Sequence, residues 1–277
     1  MRRSCPTTRP RPAAAFDITV TDAAARGKLP RLIYGPYSWL ALLIFGAPAL
    51  VLVTIVPGRL RRRRIARWFA RLFFLAIGSP VGVEGEAQLP PGACVVVANH
   101  ASYLDGIVLT AALPPNFTFV IKHEMAVFPF AGFLLRRIGS EFIDRSNDGR
   151  KQSAARRLFR AARAGDALAF FPEGTFTNSP GLRPFKPGAF RAAWQGRLPI
   201  VPVAVYGARD KLPAEVWLPA PGPLAIRICG PIDPADHESA AAMMAAVRHA
   251  LLAELDEPDL GDPTAPVVSS APPDGGL

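Results

Sequence analysis

The sequence predicts an α/β fold: a mixed, mostly parallel sheet flanked by helices, with an N-terminal membrane-embedded helical segment. Three observations predict it. Beyond residue 80, short apolar and β-branched runs alternate with segments of helical period, as expected for strands buried on both faces between crossover helices. Tyr37 to Val56, YSWLALLIFGAPALVLVTIV, is a stretch without a single charge and has the length of a bilayer crossing. The 277 residues, 50% of them hydrophobic, suffice for one main domain of ordinary α/β size with appendages.

Taken in order, residues 1–30 are rich in Arg, Pro, Ala and Thr without an apolar period and read as a disordered arm. Residues 31–79 read as a membrane anchor followed by an interfacial helix. Gly46 and Pro48 interrupt the apolar stretch, so a kinked or re-entrant helix is as consistent as a straight span. The cluster Arg59-Leu60-Arg61-Arg62-Arg63-Arg64 follows at once, which by the positive-inside rule places that flank, and everything after it, in the cytoplasm. Residues 65–78, IARWFARLFFLAIG, rise only about 21 Å as a helix. That is too short to cross, and next to the arginine run it is expected to lie at anionic headgroups rather than in a core.

The domain proper is expected over 80–257, with strands at 81–85, 93–99, 117–122, 140–144, 167–171, 200–206 and 224–229. Helices are expected at 103–112, 126–137, 148–164, 187–195 and 238–255. In the 148–164 segment, Ala154, Ala155, Leu158, Phe159 and Ala162 mark a buried face, leaving the arginines mostly solvated. Residues 258–277, mostly Pro, Asp, Gly, Ser and Ala, read as a disordered tail.

The net charge of +10, from 32 Lys plus Arg against 22 Asp plus Glu, suggests a polyanionic partner, a membrane surface in preference to nucleic acid. Cys5, Cys94 and Cys229 are odd in number and far apart, which argues against a disulfide framework and fits a reducing compartment. They share no ligand spacing with the four histidines, so no metal is expected.

The chemistry is expected at Asn99-His100-Ala101-Ser102-Tyr103-Leu104-Asp105, where a strand runs into a helix. Five residues set two side chains about 140° apart on one helix, so His100 and Asp105 meet only if His100 precedes the helix and Asp105 opens it. A carboxylate on one imidazole nitrogen fixes the tautomer and leaves the other nitrogen as a base. No G-x-S-x-G elbow occurs, so the nucleophile belongs to the substrate. A capping Asp beside an unrelated His would give the same pattern. Phe171-Pro172-Glu173-Gly174-Thr175 ends another strand, where α/β sheets place sites, and Glu173 can accept from a hydroxyl. Gly139 to Arg145, GSEFIDR, ends a third strand with an arginine suited to phosphate. Leu198 to Val205, LPIVPVAV, reads as core and acyl-chain wall, its prolines at strand-start or edge positions.

In order and spacing, these four blocks resemble those of the glycerolipid acyltransferase family, whose best-known members are the 1-acyl-sn-glycerol-3-phosphate acyltransferases. The resemblance covers roughly Arg59 to Gly230. It implies His100 as general base and Asp105 as its orienting partner, acting on a lysolipid hydroxyl that attacks an acyl thioester directly. It further implies acceptor binding by Lys122, Arg145, Glu173, Gly174 and Thr175. No cofactor is implied beyond acyl-CoA or acyl-carrier protein as co-substrate, and the setting is the inner membrane with the catalytic domain facing the cytoplasm. The family commonly has Arg after E-G-T; here that position is Phe176, and Arg183 or Lys186 is expected to supply the charge. A lysolipid with a larger headgroup, or a lyso-ornithine lipid, would need that charge less. A lipid hydrolase using the same dyad, and a nonenzymatic basic protein, are the competing expectations.

Overall fold

The computed structural model describes residues 28–143, 166–255 and 257–261. Its strands are β1 (Val81–Glu84), β2 (Val95–Ala98), β3 (Phe117–Lys122), β4 (Glu141–Ile143), β5 (Ala167–Phe170), β6 (Ile200–Tyr206) and β7 (Leu224–Ile228). They form one sheet in the order β1-β7-β6-β2-β5-β3-β4. Every neighbouring pair is parallel except β6–β7, so the sheet is mixed and mostly parallel, as the sequence predicts. The helices are α1 (Lys28–Ile55), α2 (Arg59–Ala76), α3 (Asp105–Ala112), α4 (Pro129–Arg137), α5 (Gly188–Gly196), α6 (Ala208–Lys211) and α7 (Ala240–Glu254). The helix expected over 148–164 lies outside the described residues.

Alternation along the strands divides the core in two. Val96, Ala98, Ala169, Val201 and Val203 face α1, α2 and α3, whereas Val95, Val97, Leu168, Phe170 and Ile200 face α5 and α7. Both faces of β2 and β5 are therefore dry, which is why these strands read as unbroken apolar runs. Pro202 departs from expectation, since it lies inside β6, a strand with neighbours on both sides. The Pro202 carbonyl accepts from Cys229 N, so the position of its missing N–H faces β7, and β7 pairs only from Val203 onward. The proline therefore costs the ladder no rung.

α1 is one continuous helix despite Pro36 and Pro48. Ser38, Ala41, Ala49 and Val53 bury one face; Leu32, Ile33, Leu40, Leu43, Ile44, Val51 and Ile55 stand exposed on the other. α2 corrects, for Arg63, Arg67 and Arg71, the expectation that its arginines meet lipid headgroups. Ala70, Phe73 and Phe74 enter the core, and Arg63 is buried, donating to Ile138 O at 2.9 Å and Thr118 Oγ1 at 2.6 Å. Arg67 and Arg71 donate to the carbonyls of Ala111 and Ala112. The reason is local: the last carbonyls of α3 have no partner within the helix and need donors from outside. The composition also places the tail too early, because Pro258 to Leu260 pair with Leu182 and Asp259 binds Arg248.

Candidate active site

The carboxyl ends of β2, β5 and β3 lie side by side, and the site is built on that edge. Past β2, the side chain of Asn99 replaces the next ladder rung: Oδ1 accepts from Val205 N at 2.7 Å and Nδ2 donates to Val205 O at 3.1 Å. This buried clamp on β6 fixes where the chain leaves the sheet. His100 follows outside the helix, and Asp105 is the first residue of α3.

The two side chains meet as the spacing requires, His100 Nδ1 lying 2.8 Å from Asp105 Oδ2. The Asp105 carboxylate is fully buried, and the same oxygen accepts from the backbone N–H groups of Ala101 at 2.7 Å and Ser102 at 2.8 Å. It also sits in the first turn of α3, where the helix dipole favours negative charge. With Nδ1 committed, Nε2 is the nitrogen left for a substrate. Ser102 is no nucleophile: its buried hydroxyl donates to Leu212 O at 2.6 Å and accepts from Leu104 N.

The loop after β5 closes over the imidazole. Phe171 stacks on it at 4.3 Å between centroids, Phe176 meets it edge-on at 4.6 Å, and Tyr103 packs against Phe176 at 4.8 Å. Gly174, at φ 72°, makes the turn, its N–H bonding to Phe171 O. The sequence suggests Glu173 as an acceptor for a substrate hydroxyl. In the structure it is buried, and each of its oxygens holds a backbone amide, Oε1 that of His100 at 2.7 Å and Oε2 that of Arg183 at 2.8 Å. Burial pushes its pKa up to about 7 against the lowering effect of those two hydrogen bonds and the nearby His100. Glu173 thus ties the His100 turn to the segment that carries Arg183.

The other expected residues spread around this centre. Lys122 ends β3, two strand spacings (about 10 Å) from β2, and is half-exposed in an ion pair with Glu124 at 2.9 Å. Thr175 and Lys186 are exposed, and the Lys186 amide bonds Pro172 O. The guanidinium of Arg183 makes no hydrogen bond or ion pair among the described residues. Arg145 lies outside the described residues. Among those residues no cluster of His, Cys, Asp or Glu could hold a metal ion.

Sequence reasoning missed Arg209, Arg248 and the clamp that Asn99 makes on Val205. Arg209 donates to the carbonyls of Thr177 and Ser179 and pairs with Glu257 at 3.1 Å. Arg248, on α7, donates to the carbonyls of Leu182 and Arg183 and pairs with Asp259. Together with Glu173 they clamp the loop at both ends. No local pattern marks these contacts, because all but the Arg248–Asp259 pair join residues about 30 or more apart in the chain.

At the strand ends of this sheet a buried carboxylate orients an imidazole and Ser102 is engaged elsewhere, as suits a base acting on a substrate hydroxyl, and residues 80–206 match the family described as Acyltransferase. A 1-acyl-sn-glycerol-3-phosphate acyltransferase of Haemophilus influenzae is 30% identical over 204 residues, covering 70% of this chain and 82% of the relative. The chain belongs to the acyltransferase family. A 1-acyl-sn-glycerol-3-phosphate acyltransferase of Saccharomyces cerevisiae is 33% identical, the match covering 68% of this chain and 63% of the relative. A lyso-ornithine lipid O-acyltransferase of Pseudomonas aeruginosa is 37% identical over 55% of this chain and 57% of the relative. The chain thus spans less than two thirds of the length of these last two relatives. The crystal structure of the 1-acyl-sn-glycerophosphate acyltransferase PlsC from Thermotoga maritima superposes with a TM-score of 0.68 at 23% identity, covering 81% of this chain and 94% of that one, which establishes the shared fold.

Proposed function

We propose that this protein moves a fatty acyl group from acyl-CoA or acyl-carrier protein to 1-acylglycerol-3-phosphate (lysophosphatidic acid), forming phosphatidic acid in phospholipid synthesis. The observation that carries the reading is the 2.8 Å contact between His100 Nδ1 and the buried Asp105 carboxylate, which leaves Nε2 as a base. His100 Nε2 takes the proton of the lysolipid hydroxyl as its oxygen bonds to the thioester carbonyl carbon. The C–S bond then breaks, and the departing sulfur takes the proton from the imidazolium and leaves as a thiol. Asp105 stabilises the imidazolium in between. No acyl-enzyme forms, which agrees with the engagement of Ser102 by Leu212. A thioester is already activated, so the step calls for no further cofactor.

Arg183 supplies the positive charge for the acceptor phosphate, with Lys186 and Lys122 as further cations and Arg145 assigned to the acceptor by the family motif alone, while Gly174 and Thr175 shape the turn and Glu173 positions His100 and Arg183. The names of the Haemophilus and yeast relatives support this acceptor. One observation favours a second reading. The Phe176 ring occupies the place where the family carries arginine, and a lyso-ornithine lipid acyltransferase is among the similar proteins. The outer apolar face of α1 supports membrane contact; residence at the inner membrane with the site facing the cytoplasm is part of the same proposal.

Transfer by the purified protein from labelled acyl-CoA to a panel of lysolipids, with His100→Ala alongside, tests the assignment. Transfer to lysophosphatidic acid should fall roughly a thousandfold or more in the variant; normal turnover by His100→Ala overturns the mechanism. Transfer to a lyso-ornithine lipid but not to lysophosphatidic acid selects the second acceptor.

A further inference from the structure

The turn between β3 and α4 carries large apolar side chains that neither the core nor the site uses. Val127 is 79% exposed, Phe130 76% and Phe128 56%, with Met125 and Phe133 beside them. Large apolar side chains gain from leaving water, so holding these in it is costly. The turn does not fold them inward because it is braced. Gly132 N bonds Phe128 O at 2.8 Å, Arg136 Nη1 bonds Ala126 O at 2.9 Å, and a Cβ on Gly132 would stand 2.4 Å from Ala126 O. The apolar side chains are thus presented on a stiff knuckle.

We propose that residues 125–133 form a second membrane-insertion element that seats the mouth of the active site on a lipid bilayer. Place and continuity argue for lipid as the occupant. The turn starts directly after Lys122, on the sheet edge that holds His100. At its other end, α4 is joined to the anchor: Arg137 bonds Thr54 O of α1, and Arg62 of α2 bonds Arg137 O at 3.2 Å. The knuckle therefore adjoins α1, whose exposed face is apolar and whose most apolar 18 residues have a mean hydropathy of 2.2. Two apolar elements at one flank suit a planar, extended partner better than a protein hot spot, which is compact. Arg61 and Arg64 are exposed on the adjoining α2, and the chain carries a net charge of +10, so the surface is anionic. Seated this way, a lysolipid reaches His100 from the bilayer without crossing water.

The proposal rests on the lipid acceptor assigned above, and its test separates the two. The full-length double variant Val127→Asp/Phe130→Asp is compared with wild type by flotation on vesicles of seven parts phosphatidylcholine to three parts phosphatidylglycerol. Both are then assayed for acyl transfer to a long-chain lysolipid in the same vesicles and to a short-chain lysolipid held monomeric. Flotation of the variant should drop, and kcat/KM should fall at least tenfold for the vesicle acceptor while staying within twofold for the monomeric one. Val127→Leu/Phe130→Trp should behave as wild type. Unchanged flotation, or equal loss on both acceptors, overturns the proposal. So does an altered oligomeric state at unchanged flotation, which would mark the knuckle as a protein interface. Flotation needs no turnover and decides the matter even if wild type acylates neither acceptor.

Discussion

At the residue scale the pair and its support differ in how they are written in the sequence. His100 and Asp105 stand in one heptapeptide, and their meeting follows from a strand ending before His100 and a helix starting at Asp105. Glu173 lies 73 residues from His100, and only the pairing of β2 with β5 brings them together. That pairing is visible in neither segment alone, so the sequence shows a carboxylate near a site and not what it holds. Its two amide partners yield a sharp expectation. In Glu173→Gln the carboxamide has one accepting oxygen, and its NH2 must face a backbone N–H. One buried amide loses its partner, at a cost of about 1–3 kcal/mol. The variant should lose thermal stability, and its kcat should fall roughly tenfold or more because the His100 backbone is no longer pinned. Steady-state kinetics with a melting curve checks this, and wild-type values for both would show that the bonds position nothing.

At the element scale, strands were legible because β2, β5 and β6 are dry on both faces, and helices because their apolar period survives. The seats of α1 and α2 were not, since an arginine reads the same whether it meets headgroups or, like Arg67, the carbonyls ending α3. Lys211 is a second case. It closes the four-residue α6, is almost wholly buried, and has no acidic partner among the described residues. Its ammonium donates to Tyr34 Oη of α1 at 2.7 Å, Ser79 Oγ at 2.6 Å and the carbonyls of Ala220 and Gly222. The next residue, Leu212, holds Ser102, so one short helix joins the anchor to the catalytic turn. Burial pushes the Lys211 pKa down to about 8 from 10.5. Between those values the unfolded chain binds more protons than the folded one, so stability rises with pH. The cost of the buried charge is fully present below pH 8 and is relieved towards 10.5, by roughly 3 kcal/mol in all. Urea unfolding from pH 7 to 10 should show wild type gaining stability relative to Lys211→Met, and a gap that stays constant would place the titration elsewhere.

At the scale of the whole molecule the issue is how the chain meets its membrane. Length and hydropathy let α1 cross a bilayer, and an arginine cluster after it would then set the orientation. The contacts argue otherwise. Near its start, Tyr34 and Tyr37 donate to the carbonyls of Ile77 and Ala76, and Trp39 donates to Trp217 O. Near its end, Thr54 O accepts from Arg137 and Val56 O from Arg62. Thr54 lies about 30 Å along the helix from Tyr34, yet both ends are bonded to the same body. A helix held at both ends cannot stand across a bilayer while its domain stays on one side. The expected arrangement is a helix lying along the surface with Leu40, Leu43 and Val51 outward, in which the positive-inside rule has nothing to orient. Single cysteines at Leu32 and at Arg61, in a chain whose Cys5, Cys94 and Cys229 are replaced, distinguish the two arrangements in sealed membranes with an impermeant thiol reagent. If α1 lies in plane, Leu32→Cys and Arg61→Cys react from the same side, the one that also exposes the catalytic domain to added protease. Reaction from opposite sides would mean that α1 crosses, and that its bonds to Ile77 and Arg137 cannot both exist in the membrane.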